Sequence, residues 1–356
     1  MSKYASDNMI PAELRFANLK PTCDGLYPHE VLALSYAAEY AEGEEPSQSF
    51  WWDRYGVSSV QSVFRSLFQR GYILLGGPAD SVCSGSMREL KEMLQARDLK
   101  VSGSKEVLAQ RLIDNVSREE LSRLFPRRMY KLTKKGRNIL AKYEHIPYIH
   151  YHPMIIELDI YSLDDLMQTL PYLPFREKIL EFLNRQGQRY IEAGSFGSFR
   201  GILRNMFDLT RENGNYDVAF GIVCELLAYG LSGLDNNSSP LPTPGVSDWM
   251  NEYRVKSWSK KADRFFPYES SCLRCSAYWI GKLLECKDKL KLDDEAFQQE
   301  ILKGVSCAIP YRVFSEQECA DIIMAEIDND AERLAVISSA AEKRFRETYP
   351  LPEGDN

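Results

Sequence analysis

The sequence predicts a mainly α-helical protein whose N-terminal half holds a small two-stranded element interrupted by a helical hairpin. Three observations predict it. Apolar residues recur at spacings of three and four through most of the chain. Only two short stretches of the N-terminal half, Tyr72–Leu75 and Met129–Leu132, read as strands. Between them the segment "MRELKEMLQARDLKVSGSKEVLAQRLIDN", Met87–Asn115, reads as two short amphipathic helices joined by a tight turn.

In chain order, residues 1–26 form an N-terminal arm without the apolar core of a secretory signal. Helices follow at Pro28–Tyr40 and near Phe50–Tyr55, with Trp51, Trp52 and Tyr55 as packing aromatics. In "GVSSVQSVFRSLFQRGYILL", Ser58 or Ser59 caps a helix over Ser59–Arg70. Val60, Val63, Phe64 and Leu67 are its buried stripe, and it presents Gln61, Ser62, Arg65 and Gln69 outward. Gly71 ends it and Tyr72–Leu75 is extended. In "RRMYKLTKKGRNILAKYE", Met129–Leu132 is the second strand, and Thr133 caps a helix that buries Ile139 and Leu140. From about Pro147 to Pro350 the apolar spacing is helical, with Ser315 and Glu318 forming a capping box. The Pro-, Ser- and Asn-rich stretch Leu234–Trp249 reads as a loop or linker dividing two helical lobes.

The interrupting hairpin justifies itself residue by residue. Met87, Leu90, Met93 and Leu94 line one face of the first helix. Asp98 breaks it, and Leu99 and Val101 follow as extended anchors. Ser102-Gly103-Ser104 makes the turn, with Gly103 free to take a positive φ. Ser104 is in N-cap position, and Glu106 lies where the helix dipole favours an acid. Val107, Leu108, Arg111 and Leu112 continue the second helix.

Charge singles out the same region. The chain carries a net −7. Met87–Arg137 has 14 Lys and Arg against 7 Asp and Glu, a local +7 that leaves −14 for the rest. A uniformly basic polyanion binder is therefore excluded, and a basic footprint on one module is expected. A solvated charged edge would show the same composition.

Leu90-Lys91, Leu94, Leu99, Ser102-Gly103, Lys105, Leu108 and Arg111-Leu112 stand at the spacing of the SAP motif, which this stretch resembles over about 84–118. Asp98 stands where that family usually has glycine. The resemblance implies binding of double-stranded DNA, often AT-rich. Arg88, Lys91, Lys100, Ser102, Gly103, Lys105 and Arg111 are the residues that it and the local charge single out. Contacts of this kind go mainly to phosphate, so salt sensitivity is expected. The flanks, with the hairpin removed, look like the second half of a winged helix. That likeness makes Gln61, Ser62 and Arg65 candidate groove contacts, and Lys131, Lys134, Lys135 and Arg137 candidate phosphate contacts. The expected organisation is a winged-helix-like domain at 27–78 plus 128–146, a SAP-like insertion at 79–127, helical lobes at 147–234 and 250–350 around a linker at 235–249, and a tail at 351–356.

Other motifs carry less. "HIPYIHYHP" clusters His145, His150 and His152, and a strand there would put the last two on one face. Packing at a domain junction suits them better than a metal site. "CLRC" places Cys272 and Cys275 one helical turn apart, and the eight cysteines fit buried free thiols of a cytosolic protein. "PLPTP" suits a stiff loop. No run of 18 apolar residues spans a membrane. No cofactor, metal or catalytic group is expected. The expectation is a cytoplasmic, non-enzymatic DNA-binding protein, nucleoid-associated if bacterial. It would be a transcriptional, chromosome-associated or mobile-element factor whose C-terminal helices oligomerise or recruit a protein. The alternatives are a protein adaptor built from the same modules, and a DNA-processing enzyme with its site in the helical half.

Overall fold

The structure is a computed structural model that describes residues 19–152, 158–169, 173–236, 239–241 and 247–350. Most of the N-terminal arm, part of "PLPTP" and the tail lie outside them. The chain is mostly helical and divides into two compact units, Met1–Tyr172 and Leu173–Asn356.

The first unit begins with α1 (Pro28–Ser35), α2 (Phe50–Asp53) and α3 (Val60–Gln69). Helix α1 stops at Ser35, short of the expected Tyr40, and Tyr36 and Ala37 turn back on the carbonyls of Ala33 and Leu34. Trp51 and Tyr55 are buried as expected, whereas Trp52 is exposed. Ser59 caps α3 by accepting from the Ser62 amide. Strands β1 (Ile73–Leu75) and β2 (Tyr130–Leu132) pair antiparallel with Ile73 opposite Leu132 and Leu75 opposite Tyr130. Helix α8 (Lys134–Lys142) follows, after an insertion described below.

The "LTKKG" phrase explains how α8 is joined to the strands. The Thr133 hydroxyl caps α8 by accepting from the Gly136 amide at 3.1 Å, while it donates toward the carbonyls of Gly71 (2.8 Å) and Tyr72 (3.0 Å). A Cβ on Gly136 would lie 2.1 Å from the Tyr72 carbonyl oxygen. Only glycine lets the helix approach the strand entry this closely.

Residues 76–129 form the insertion between the paired strands. It contains α4 (Pro78–Val82), α5 (Met87–Gln95), α6 (Lys105–Asn115) and α7 (Arg118–Leu124). The outer two helices were not foreseen: each is one or two turns long, too short for a periodic signal. They matter because Val82 and Leu121 join Leu90, Leu94, Leu108 and Leu112 in a separate buried cluster. The insertion thus has its own core.

Two further helices, α9 (His145–Tyr151) and α10 (Ile160–Thr169), complete the first unit. The "HIPYIHY" stretch is therefore helical; Pro147 falls in the first turn, where its missing N–H costs nothing. His150 is buried between the hydroxyls of Tyr36 (2.8 Å) and Tyr55 (2.7 Å), and His145 faces Asp164 at 3.0 Å. These contacts tie α9 to α1 and α2, and α10 to α9. The unit consequently ends at Tyr172, beyond the boundary expected at 146.

The second unit runs through α11 (Phe175–Glu192), α12 (Phe196–Glu212), α13 (Tyr216–Leu231), α14 (Asp248–Trp258) and the short α15 (Ala262–Phe265). It continues with α16 (Ala277–Leu290), α17 (Asp294–Val305), α18 (Glu316–Asp328) and α19 (Ala331–Thr348). Helix α13 is buried on nearly every side, as its apolar composition requires. A Cβ on Gly304 of α17 would lie 2.5 Å from the Cβ of Cys224, so glycine at 304 is what lets α17 approach α13 this closely. One core joins Phe196–Leu234 with Trp258–Phe345. The expected lobes before and after 235–249 therefore share a single interior. Cys272 and Cys275 lie outside any helix, the first exposed and the second buried. Cys23 and Cys83 are also exposed, so burial is not general among the thiols.

Candidate nucleic-acid interface

The hairpin is positioned by local sequence. Ser86 and Glu89 form a capping box at the start of α5: the Ser86 hydroxyl accepts from the Glu89 amide at 3.2 Å, and the Ser86 amide donates to the Glu89 carboxylate at 2.7 Å. Leu90 and Leu94 pack inward against Leu108 and Leu112. Asp98 takes a left-handed φ of 54°, the conformation for which glycine is usual, and Asp adopts it at modest cost. Gly103 has φ 132°, and a Cβ there would lie 2.9 Å from Val107 Cγ1. Ser104 stands at the N-cap of α6 but its side chain makes no cap bond to the backbone. Its hydroxyl instead holds the Glu106 carboxyl below its ordinary pKa, with Lys105 adding to the effect.

Arg111 has a role that its charge did not suggest. Its guanidinium donates to the carbonyls of Lys100 and Ser102, the second at 3.2 Å. It clamps the turn from the flank of α6. The turn residues Lys100, Ser102, Gly103, Lys105 and Arg111 are thus brought together, but Arg111 is a positioning residue for the others. Lys91, Lys100 and Lys105 have no ion pair within 4 Å among the described residues. Arg88 pairs with Glu92 on the exposed face of α5, at 2.9 Å. Exposed pairs of this kind contribute little and release readily.

The second set of predicted residues is placed differently. Gln61 was expected to point outward. Its amide instead donates to the carbonyls of Ala41 and Glu44 and accepts from the Gly43 amide and the Tyr130 hydroxyl, so it holds the loop before α2. Lys131 binds Asp80 at 2.6 Å, Lys135 donates to the Arg70 carbonyl and lies over the Tyr72 ring, and Arg137 donates to the Leu132 carbonyl. Ser62, Arg65 and Lys134 are exposed and, among the described residues, their side chains have no such engagements. The cations of this edge are legible in the sequence. That three of four serve the fold is not, because carbonyl partners have no sequence signature.

Asp80 deserves its place in the site through Lys131. Burial would raise its pKa, but Lys131 and the Gly77 amide more than offset this and hold it below the ordinary value. The contact fixes the root of the insertion to β2. Beside that root lies a cavity of about 440 Å³ lined by Gly76, Gly77, Phe125, Arg118 and Arg128 among others. Both arginines are exposed and without an ion pair among the described residues. Arg118 was missed; its neighbours Glu119 and Glu120 conceal it in a charge count. Among the described residues no group of three or more His, Cys, Asp or Glu is arranged to hold a metal ion, and no helix is long and apolar enough to cross a membrane.

The family model of the SAP domain matches residues 86–116. This span contains α5, the clamped turn and α6, and it is the part of the chain for which a family is found. The match suggests nucleic-acid binding in general. No curated protein and no solved structure matches the chain.

Proposed function

We propose that the protein binds duplex DNA through phosphate contacts made by Lys91, Lys100 and Lys105, with Arg88 recruited from its exposed ion pair. The observation that carries this reading is the pair of lysines, Lys100 and Lys105, without an ion pair among the described residues at a turn whose geometry is fixed from within by Arg111, with Lys91 on α5 likewise without one. An ordered turn with free cations presents charge without having to be organised on binding. The exposed Arg118, Arg128 and Lys134 extend the cationic surface toward a winged-helix-like platform formed by α3, the β1–β2 pair and α8. Such contacts read backbone more than sequence. The protein then acts as a non-enzymatic transcriptional, chromosome-associated or mobile-element factor.

Fluorescence anisotropy with an AT-rich duplex over a range of salt tests this. Each neutralised phosphate contributes a slope of about −0.9 in log affinity against log salt. Lys100→Glu with Lys105→Glu should therefore weaken binding at least tenfold and flatten the slope by about 1.8. Unchanged affinity and slope would exclude the hairpin as the contact. A second reading is favoured by Val101 and Val107, both exposed beside the turn: a protein-binding hairpin. It requires a discrete partner in pull-down and no salt-dependent binding of DNA.

A further inference from the structure

The second unit holds a cavity of about 230 Å³ formed by segments far apart in the chain. Arg200 comes from α12, Gly230 and Gly233 from the end of α13, and Lys261 and Arg264 from the turn before α15 and its last residues. Leu234, Phe265 and Leu273, all buried, give it an apolar floor. Asp235 also lines it.

The charge at this cavity is unlike that of its surroundings. Residues 173–356 carry 23 Lys and Arg against 29 Asp and Glu. Elsewhere in the unit Lys282, Lys287, Arg333, Arg344 and Arg346 each sit against an acid. Here three cations meet one carboxylate, and Asp235 is already bound to Arg200 at 3.2 Å. Lys261 and Arg264 have no ion pair among the described residues. Three positive side chains around one concavity repel each other unless an anion joins them.

The pairing partner of Arg200 is itself held in place. Asn236 accepts from the Ser198 amide at 2.9 Å, which fixes the Asp235–Asn236 turn over the start of α12. A Cβ on Gly197 would lie 2.3 Å from the Asp235 carboxylate, so glycine is needed for this approach. Across the cavity the Cys272 amide donates to the Arg264 carbonyl at 2.9 Å, fixing the backbone that carries Arg264. Size then limits the ligand. Pockets for drug-sized ligands run from about 300 to 1,000 Å³, so 230 Å³ is too small for a whole nucleotide cofactor. With liquid water at about 30 Å³ per molecule, a tetrahedral oxyanion and several waters fit. Guanidinium groups favour phosphate through paired N–H donors.

We infer that this cavity is a binding site for a phosphate monoester group, supplied either by the end of a nucleic-acid strand or by a small phosphorylated molecule. The inference is independent of the hairpin and survives its failure as a DNA contact. The test is calorimetry of the full chain with inorganic phosphate at constant ionic strength. Wild type should give saturable one-to-one binding, and Lys261→Gln with Arg264→Gln should weaken it at least tenfold. Asp235→Asn removes the competing carboxylate and should tighten it severalfold. Equal binding by wild type and the Lys261/Arg264 variant, no saturable binding by wild type, or weaker binding by Asp235→Asn would overturn the inference. A 5′-phosphorylated oligonucleotide compared with its 5′-hydroxyl form separates the sources. Preference for the phosphorylated end, lost in the Lys261/Arg264 variant, identifies a strand terminus; equal affinity alongside saturable phosphate binding identifies a small molecule.

Discussion

At the residue scale, several side chains do work that their type alone does not announce. Gly136 stands 2.1 Å, measured from a notional Cβ, from the Tyr72 carbonyl. Gly136→Ala should therefore force α8 off the strands and cost about 3 kcal/mol or more, against about 1 kcal/mol gained in helix propensity; chemical denaturation measures it. His150 makes a second prediction. Burial, with the Arg54 charge adding, holds its pKa down to about 4. The ring is neutral in the fold, where one tyrosine hydroxyl donates to it and it donates to the other. The unfolded chain takes up the proton near the ordinary value of 6.5, and the folded chain only near 4. The stabilisation is therefore complete above 6.5 and is lost progressively as pH falls toward 4. His150→Gln should flatten the pH dependence of the urea midpoint across that window; an unaltered profile would assign the acid sensitivity to other groups.

At the element scale, the hairpin sets lysines without an ion pair among the described residues apart from an arginine that holds the turn. Arg111→Ala removes two charge-assisted bonds to the carbonyls of Lys100 and Ser102. On this partly exposed surface the loss should be about 1 kcal/mol of stability. DNA affinity should fall while the salt slope stays near that of wild type, because no phosphate contact is deleted. A lysine at 111 should not restore it, since an ammonium cannot span two carbonyls as a guanidinium fork does. A slope reduced by about 0.9 would instead make Arg111 a phosphate ligand. The hairpin was legible in the sequence because its anchors recur at fixed spacing and its turn needs Gly103. The clamp was not legible: a cation that serves a carbonyl and one that awaits a phosphate look alike in sequence. The same limit applies to Lys131, Lys135 and Arg137.

At the scale of the whole molecule, the strands and the interrupting hairpin were readable because each has a local signature: a capping threonine, a helix-ending glycine, and in the hairpin apolar residues at helical spacing. The division of the chain was not. Helix α9 joins the first unit through long-range contacts of His150, α10 joins α9 through His145 and Asp164, and one core unites the segments on both sides of the Pro-rich stretch. Neither fact follows from local composition. The two units differ in charge, with 21 Lys and Arg against 22 Asp and Glu in residues 1–172, and 23 against 29 beyond them. A fragment ending at Tyr172 should fold and bind duplex DNA with the salt slope of the full chain, since that slope counts cations in contact. A markedly lower slope would place part of the contact in residues 173–356.

The pairing of Leu75 with Tyr130 has a consequence for the order of folding. These strands must meet across 54 intervening residues, 76–129. Closing an open loop of that length costs entropy that grows as the logarithm of its length. The insertion has its own apolar cluster, from Val82 near its beginning to Leu121 near its end. Once that cluster has condensed, the chain from one strand to the other is effectively a few residues at each root. The strands would then meet as neighbours: an insertion that folds first shortens the open loop its own flanking strands must close.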